Sequence, residues 1–364
     1  MLTNLTIAAG PSAYEHIQKN GLSADDIAAI FGASGAAKWL AIAGLDSAVF
    51  ASFMKQRQKP QAVELFGTSV GAFKLAAAAR QDPAQALQQM ADLYIHQSYG
   101  EDAGFEKIDI ETDKILNAIT DASDAGSMHG VEEILTNPAY HIHIGAVRCH
   151  GLLNHRDKRR QALALVQAGV GSLVSAKHLR GLAERVVFSD PRSQLTFEAR
   201  DGFTVRQTKL DKVNFAAALK ASGSIPVYMP PVDVPGDTAH IYHDGGMLDY
   251  HPIPANFWPQ QDGLILYPHF YDHFKNRWFD KFYPWRRASG NQLDKVVMIA
   301  PNRDYIARLP DGKIPSRQDF VKYVKNEPLR FEKWHDIVAR SYQLGEEFLA
   351  VCASGDIAAH VRPL

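Results

Sequence analysis

The sequence predicts an α/β protein: a single three-layer α/β/α domain built around a largely parallel sheet. Short runs of aliphatic residues alternate along the chain with helical patterns, and this alternation is typical of parallel strands that are connected by helices. The 364 residues contain no internal repeat, no low-complexity tract and no linker rich in Pro, Gly or Ser. One domain over residues 1–364 is therefore the simplest prediction.

The elements are predicted in order from local patterns. The apolar run Ile27–Gly32 indicates a strand, and a turn of small residues leads from it into a helical run, Lys38–Lys55. Val63–Phe66 indicates a second strand, and the alanine-rich run Val70–Arg80 indicates a helix. Further strands are predicted at Ile142–Val147, Val186–Ser189, Ile241–His243, Leu264–Tyr267 and Val296–Ala300. A last long helix is expected from about Pro328 to Ala353, with Gly355 as its stop signal.

Composition and charge limit the function classes. The chain is 46% hydrophobic and 22% charged, and its formal net charge of -1 gives no reason to expect nucleic acid as a partner. Cys149 and Cys352 lie in apolar contexts, as buried free thiols do, and the first residues lack the pattern of a secretory signal. The longest apolar stretch, Gln161–Ala176, is shorter than the roughly 20 residues that span a bilayer. We expect a cytoplasmic protein.

The strongest functional signal is the pentapeptide Gly67-Thr68-Ser69-Val70-Gly71, which lies between a predicted strand and a predicted helix. A serine on such a turn has its hydroxyl pushed out of the sheet edge, and the flanking Gly67 and Gly71 leave room for neighbouring backbone. The helix that starts at Val70 points its amide end to where negative charge develops on a substrate oxygen. The pattern indicates a serine hydrolase with Ser69 as nucleophile; a turn without chemistry is the alternative.

A carboxylate follows another predicted strand, in His243-Asp244-Gly245-Gly246. Gly245 and Gly246 let the chain turn sharply away, which leaves Asp244 at the same sheet edge as Ser69 if the two strands are neighbours. Asp-Gly pairs are also common in turns without function. Because a serine hydrolase needs a base, we predict that Asp244 supplies it.

A third segment, Ala33-Ser34-Gly35-Ala36-Ala37-Lys38, directly follows the first predicted strand. Its small residues allow consecutive backbone amides to converge on an oxyanion, so Ser34, Gly35 and Ala36 are candidates for an oxyanion hole. A tight packing turn or a weak phosphate loop would look similar. The segment matches neither of the standard nucleotide-binding glycine patterns, and no nucleotide is expected.

These segments, in this order, resemble the patatin-like phospholipases. That family carries a glycine-rich oxyanion loop, then Gly-x-Ser-x-Gly, then Asp-Gly-Gly or Asp-Gly-Ala. A further block, residues 221–231 (ASGSIPVYMPP), resembles the family's Ala-Ser-x-Ala/Ser-x-Pro block between nucleophile and aspartate. The motifs span about residues 27–252. Residues 100–138 are predicted to be a helical insertion, and residues 268–364 a C-terminal extension.

The resemblance implies a Ser69–Asp244 dyad that acts through an acyl-enzyme on lipid esters, without metal or cofactor. The family's loop is usually Gly-Gly-Gly-x-Arg/Lys-Gly. Aligning Lys38 with the basic residue places Ser34, Gly35 and Ala36 on the three glycines and Trp39 on the last. We therefore expect Trp39 to narrow or reshape the site.

Two other functions compete with this one. A Ser-His-Asp esterase of the α/β-hydrolase type could use His251, His269, His335 or His360, all of which follow Asp244, although only two strands are predicted before Ser69. A non-catalytic lipid-binding or interaction protein could retain the same frame.

His141 and His143 alternate along one predicted strand, and two histidines with this spacing could share a metal ion. No nearby third ligand completes a recognised metal site, so no metal is expected.

Aromatic and basic residues interleave over residues 269–287 (HFYDHFKNRWFDKFYPWRR). Aromatic rings favour the headgroup boundary of a bilayer, and cations favour anionic lipid. Part of this segment is therefore predicted to cap the site and to contact membranes peripherally; the alternative is that its rings pack into the domain. The oligomeric state does not follow from the sequence.

Overall fold

The computed structural model describes residues 2–100, 104–122, 128–174, 179–283 and 285–364. Within these ranges, eleven strands form one mixed sheet. The strands are β1 (Leu5–Ala9), β2 (Ile27–Gly32), β3 (Val63–Thr68), β4 (Tyr140–Cys149), β5 (Ala183–Ser189), β6 (Val205–Lys209), β7 (Val232–Val234), β8 (Asp237–Asp244), β9 (Leu264–Pro268), β10 (Val296–Pro301) and β11 (Val361–Pro363).

Helices flank this sheet. In chain order they are α1 (Pro11–Asn20), α2 (Ala43–Ala48), α3 (Val70–Ala78), α4 (Pro83–Ile95), α5 (Phe105–Thr120), α6 (His129–Thr136), α7 (Lys158–Val174), α8 (Phe215–Gly223), α9 (Arg303–Ala307), α10 (Gln318–Lys322), α11 (Glu327–Ser354) and α12 (Ile357–His360). The longest, α11, ends at Gly355 in the left-handed conformation with φ of 75°, as the sequence predicts.

The strand order is β11-β1-β10-β9-β2-β3-β4-β5-β6. The run from β10 through β4 is parallel throughout, whereas β1 against β10 and β4 against β5 are antiparallel. Every residue of β3 and of β10 is buried, as in a parallel sheet that is covered on both faces. The predicted α/β fold with a largely parallel sheet is confirmed. Ile27–Gly32 is not the first strand, however, because β1 precedes it and pairs with β10 and β11 near the chain's other end.

Two strands share one edge of β4. β3 pairs in parallel with its first half and ends with Thr68 opposite Gly145. β8 then pairs antiparallel with the second half, with Asp244 opposite Ala146. β5 occupies the other edge of β4, so β3 and β8 must lie along the same edge. Their carboxyl ends therefore face each other. The strands before Ser69 and Asp244 are therefore not paired neighbours, but their ends converge at one point of the sheet.

A helical run over residues 36–56 is long and apolar enough, by length and composition, to cross a membrane. It combines α2 with 3₁₀ turns at Ala36–Ile42 and Met54–Gln56 and a π-helical turn at Val49–Phe53. Inside the protein 78% of its most apolar window is buried, and the amide of Gly44 donates to Ser341 Oγ of α11 at 2.7 Å. These are the properties of a core helix.

Candidate active site

Ser69 occupies the turn between β3 and α3 in a backbone conformation that L-residues rarely adopt, with φ of 54° and ψ of -135°. Its amide donates to Ser222 Oγ at 2.9 Å, and that hydroxyl donates to the carbonyl oxygen of Gly145 at 2.6 Å. Ser222, at the end of α8, thus ties the turn to β4. A side chain on Gly71 would collide with the Gly32 carbonyl oxygen at 2.2 Å, so glycine is required where α3 crosses the end of β2.

Asp244 lies against Ser69 at the junction of the two strand ends. Ser69 Oγ donates to Asp244 Oδ2 at 2.8 Å, while the amide of Gly246 donates to Asp244 Oδ1 at 2.7 Å. The Asp244 amide donates to the carbonyl oxygen of Ser224 at 2.8 Å, which fixes the end of β8. A side chain on Gly246 would approach Ser34 Oγ to 2.5 Å, so the turn after the aspartate also needs glycine.

Burial dominates the electrostatics of Asp244. Both it and Ser69 are only 7% exposed, and the loss of water raises the pKa of Asp244 to about 6. The hydrogen bonds from Gly246 and Ser69, and the charge of Arg317, oppose this rise without cancelling it. The site therefore contains a hydroxyl that is hydrogen-bonded to a carboxylate of raised basicity.

Backbone amides beside Ser69 come from two segments. The N–H groups of Gly35, Ala36 and Val70 have no acceptor within the described part of the chain, and Ala36 has a φ of 50°. Ser34 differs from the prediction, because its amide donates to the Tyr250 carbonyl oxygen at 2.8 Å. Its amide is thus engaged in the fold, and the candidate oxyanion donors reduce to Gly35, Ala36 and Val70.

The hydroxyl of Ser34 is also engaged. Thr68 Oγ1 donates its one hydrogen to the carbonyl oxygen of Asp249 at 2.7 Å, so Ser34 Oγ, 2.9 Å away, donates to Thr68. Asp249 in turn forms a buried two-pronged ion pair with Arg185 of β5, at 2.6 and 2.9 Å. The ion pair between Arg185 and Asp249 therefore anchors the end of the loop formed by residues 244–249. Nothing in the local pattern distinguishes Arg185 from an ordinary polar residue of a strand.

A cavity of about 50 Å³ adjoins the pair. Its lining residues come from every predicted motif: Ser34, Gly35 and Ala36 from the oxyanion segment, Ser69 from the pentapeptide, Ile225 and Pro226 from the block 221–231, and Asp244 and Gly246 from the aspartate segment. Trp278, from the predicted capping segment 269–287, also lines the cavity, together with Leu165 of α7 and Arg317, which the sequence analysis did not assign. These three reach the cavity through tertiary packing of distant segments.

Trp39 does not line the cavity, contrary to expectation. It is 1% exposed, and its Nε1 donates to Asp46 Oδ2 at 2.9 Å. Asp46 also pairs with Lys74 of α3, at 2.8 Å. The indole points into the core because this buried carboxylate accepts its N–H, so its bulk leaves the site unchanged.

The histidines considered for a triad lie elsewhere. Of the described residues that line the cavity, none is a histidine. His251 and His269 are buried with ring centroids 4.3 Å apart, and burial lowers the pKa of both; His335 contacts His96, and His360 lies at a separate surface groove. His141 and His143 both contact Glu64, and no group of three or more His, Cys, Asp or Glu residues in the described ranges is placed to hold a metal ion.

Most rings of residues 269–287 pack inward. Phe270, Phe274, Phe279 and Tyr283 are buried, Trp278 reaches the cavity, and Trp285 is 76% exposed. The side chain of Phe282 lies outside the described part of the structure. The segment therefore borders the site, and among its rings that the structure describes, only that of Trp285 is largely exposed to solvent.

Comparison with known proteins adds an independent result. A family model described as patatin-like phospholipase matches residues 31–256. This range includes Ser69 and Asp244 but not Trp278 or Arg317. Among solved structures, VipD from Legionella pneumophila is similar over 92% of this chain and 70% of that chain, with 11% identity and a TM-score of 0.34. A search of curated proteins gave no match.

Proposed function

The chain belongs to the patatin-like phospholipase family, and on that premise we propose that it hydrolyses carboxylic esters of lipids through a Ser69–Asp244 dyad. Family membership supports a lipid acyl hydrolase in general. The dyad is supported by one observation above the others: the 2.8 Å hydrogen bond from Ser69 Oγ to a buried Asp244. We also propose that the protein is cytoplasmic, because the free thiols Cys149 and Cys352 agree with a reducing compartment.

The first half of the proposed reaction forms an acyl-enzyme. Ser69 Oγ attacks the ester carbonyl carbon, and its proton passes to Asp244 Oδ2. The resulting oxyanion accepts hydrogen bonds from backbone amides, for which Gly35, Ala36 and Val70 are the candidates. The bond from the carbonyl carbon to the alcohol oxygen then breaks, and Asp244 returns the proton to the departing alcohol. In the second half, water attacks the acyl carbon while its proton passes to Asp244. The bond from that carbon to Ser69 Oγ then breaks, the fatty acid leaves, and Asp244 returns the proton to Ser69 Oγ.

The environment of Asp244 suits this role. An aspartate with an ordinary pKa near 4 is a weak base toward a serine hydroxyl. Burial raises the pKa of Asp244 to about 6, so the carboxylate is more basic and is still ionised at neutral pH. No ion pair competes for it among the described residues, since its side chain accepts from Gly246 and Ser69.

The alternatives lack such support. A Ser-His-Asp mechanism needs an imidazole within reach of Ser69, and no histidine belongs to the described cavity wall. A binding protein that retains an inactive frame has no need of the strained Ser69 backbone or of a buried, unpaired carboxylate beside it.

Covalent labelling with a fluorophosphonate tests the proposal. Wild-type protein is expected to be labelled on Ser69, and Ser69→Ala to remain unlabelled. Ser98→Ala, at an exposed serine that is not among the residues lining the cavity, is the matched control and should label like wild type. Absence of labelling on Ser69 would favour the binding protein. Labelling that survives Asp244→Asn but is lost in a histidine variant would favour the triad.

A further inference from the structure

Helix α7 has two unlike faces. Its inner face carries Gln161, Ala164 and Ala168, which are at most 1% exposed. Its outer face carries Leu163, Val166 and Val170, which are 50%, 61% and 62% exposed. We call these three residues the α7 apolar face. Single exposed aliphatic side chains are common, but this spacing of three and four residues aligns them in one stripe pointing away from the core. Valine is also a poor choice for an exposed helix on propensity grounds alone.

Trp285 is linked to α7 through Tyr283. It is 76% exposed, and its ring contacts that of Tyr283 with centroids 5.5 Å apart. Tyr283 Oη donates to the carbonyl oxygen of Gly169, on α7, at 3.5 Å. Tryptophan is enriched at the boundary between lipid headgroups and acyl chains, so an exposed indole that is linked to the helix carrying the aliphatic stripe suits a bilayer surface.

Cationic residues precede the α7 apolar face and follow Trp285 along the chain. Lys158, Arg159 and Arg160 form the first turn of α7, and Arg287 follows Trp285 by two residues. Within the described ranges, no carboxylate lies within salt-bridge distance of Arg159, Arg160 or Arg287. The anionic headgroups of a lipid bilayer would neutralise the positive charges of these arginines. A second copy of the chain docked through the same face would instead bring two such sets together.

The inner side of the same helix reaches the candidate active site. Leu165 lines the cavity beside Ser69. Gln161 Oε1 accepts from the Val227 amide at 3.1 Å, and its Nε2 lies 3.1 Å from Nε2 of His243, the residue before Asp244. Binding of the α7 apolar face to lipid would thus place the cavity beside the lipid.

We propose that the α7 apolar face, together with Trp285 and the neighbouring arginines, docks the protein on an anionic lipid bilayer. This inference rests on the proposed function, because a hydrolase of lipid esters must meet its substrate at such a surface. It differs from the sequence prediction in making α7 the principal contact, with Trp285 as the contribution of residues 269–287.

Vesicle binding measured on the Ser69→Ala variant tests the proposal without any turnover of lipid. Co-sedimentation is compared between vesicles of phosphatidylcholine with phosphatidylglycerol and vesicles of phosphatidylcholine alone. In this background, Leu163→Gln/Val166→Gln/Val170→Gln should weaken binding to the mixed vesicles roughly tenfold or more. Arg159→Gln/Arg160→Gln should remove most of the preference for phosphatidylglycerol.

The matched control is Ile110→Gln/Val213→Gln/Val321→Gln, which removes three aliphatic side chains of 57%, 75% and 77% exposure from other elements. It should bind vesicles like its parent. Equal binding by the α7 variant and its parent, or equal loss in the control, would overturn the proposal. So would a dimer in solution that the α7 substitutions dissociate, because a second copy would then cover the face.

The experiments can reject the catalytic proposal and the docking proposal independently of each other. The three α7 glutamine substitutions, made in the protein that retains Ser69, should leave hydrolysis of a short soluble ester unchanged. If Ser69 is not labelled by fluorophosphonate while vesicle binding follows the α7 variants, only the catalytic proposal is wrong. If labelling holds and the α7 variants bind vesicles normally, only the docking proposal is wrong.

Discussion

Ser69 Oγ lies 2.8 Å from Asp244 Oδ2 because β3 and β8 meet end to end along one edge of β4. The two residues are separated by 175 positions in sequence. Neither strand pairs with the other, yet the register of both against β4 brings their last residues together. The contact is thus a property of the sheet, and it should persist when either side chain is replaced by a close isostere.

Ser69→Ala and Asp244→Asn are each expected to lower kcat/KM for a soluble ester by about 10⁴-fold or more, with the fold intact. One removes the nucleophile and the other removes the base. Because the two act in one step, the double variant should be little worse than either single variant. Steady-state kinetics with circular dichroism as the folding control measure this, and additive losses would contradict a dyad.

The pH profile should report Asp244. Its pKa of about 6 predicts that kcat/KM rises with pH up to about 6 and then levels, because the carboxylate must be ionised to accept the serine proton. The charge of Arg317 lowers this pKa, so Arg317→Gln should move the rising limb to higher pH. Lys55→Gln, an exposed charge removed elsewhere, is the control. A limb that is unmoved by Arg317→Gln but moved by Lys55→Gln would contradict the assignment.

The raised pKa of Asp244 also has a cost in stability. The folded state holds the proton up to about pH 6, whereas an unfolded aspartate releases it near its ordinary value of 3.8. Folded protein therefore binds more protons in this window, and stability falls as pH rises through it. Asp244→Asn removes the charge and should gain stability over wild type by about 2 to 3 kcal/mol above pH 6.

Urea unfolding across this pH range measures the difference between the two proteins. The advantage of Asp244→Asn should grow between about pH 4 and pH 6 and stay constant above. A constant difference over the whole range would show that the Asp244 pKa is not raised by folding.

Backbone strain at Ser69 gives a second stability test. Its φ of 54° and ψ of -135° suit glycine, and such conformations cost other residues about 1 to 3 kcal/mol. Ser69→Gly should therefore be more stable than Ser69→Ala by about 1 kcal/mol, although both lack the nucleophile. At Ser98, which is outside the residues of positive φ, the glycine variant should be the less stable one. Equal stability of the two Ser69 variants would show that the turn relaxes without its serine.

The sequence predicted the elements that carry local signals. A strand, a glycine-framed serine and an alanine-rich helix follow each other directly, so the setting of Ser69 could be inferred from a short stretch. β1 and β11 carry no such signal, because β11 has only three residues and both strands depend on pairing between opposite ends of the chain. Long-range pairing of this kind leaves no periodic pattern.

In the candidate site, too, the residues with a local sequence signal could be predicted and those placed by long-range packing could not. Small residues at Ser34, Gly35 and Ala36 indicated free amides, but the sequence could not show that the Tyr250 carbonyl oxygen takes one of them. Arg317 and Leu165 reach the cavity from segments far from the motifs, and their positions depend on how α7 and the C-terminal region pack. Chemistry carried by a motif could be predicted, whereas the contributions of Arg317 and Leu165 to the cavity required the fold.

The aromatic segment at residues 269–287 separates into rings of different roles. Phe279 is 6% exposed and packs on Trp278 with ring centroids 5.2 Å apart, whereas Trp285 is 76% exposed. Phe279→Ala should cost about 3 to 5 kcal/mol of unfolding free energy and should also lower soluble esterase activity, since Trp278 lines the cavity. Trp285→Ala should change stability by less than about 0.5 kcal/mol and spare that activity. Urea unfolding of the two single variants distinguishes them, and a large loss of stability in Trp285→Ala would show that its ring belongs to the core.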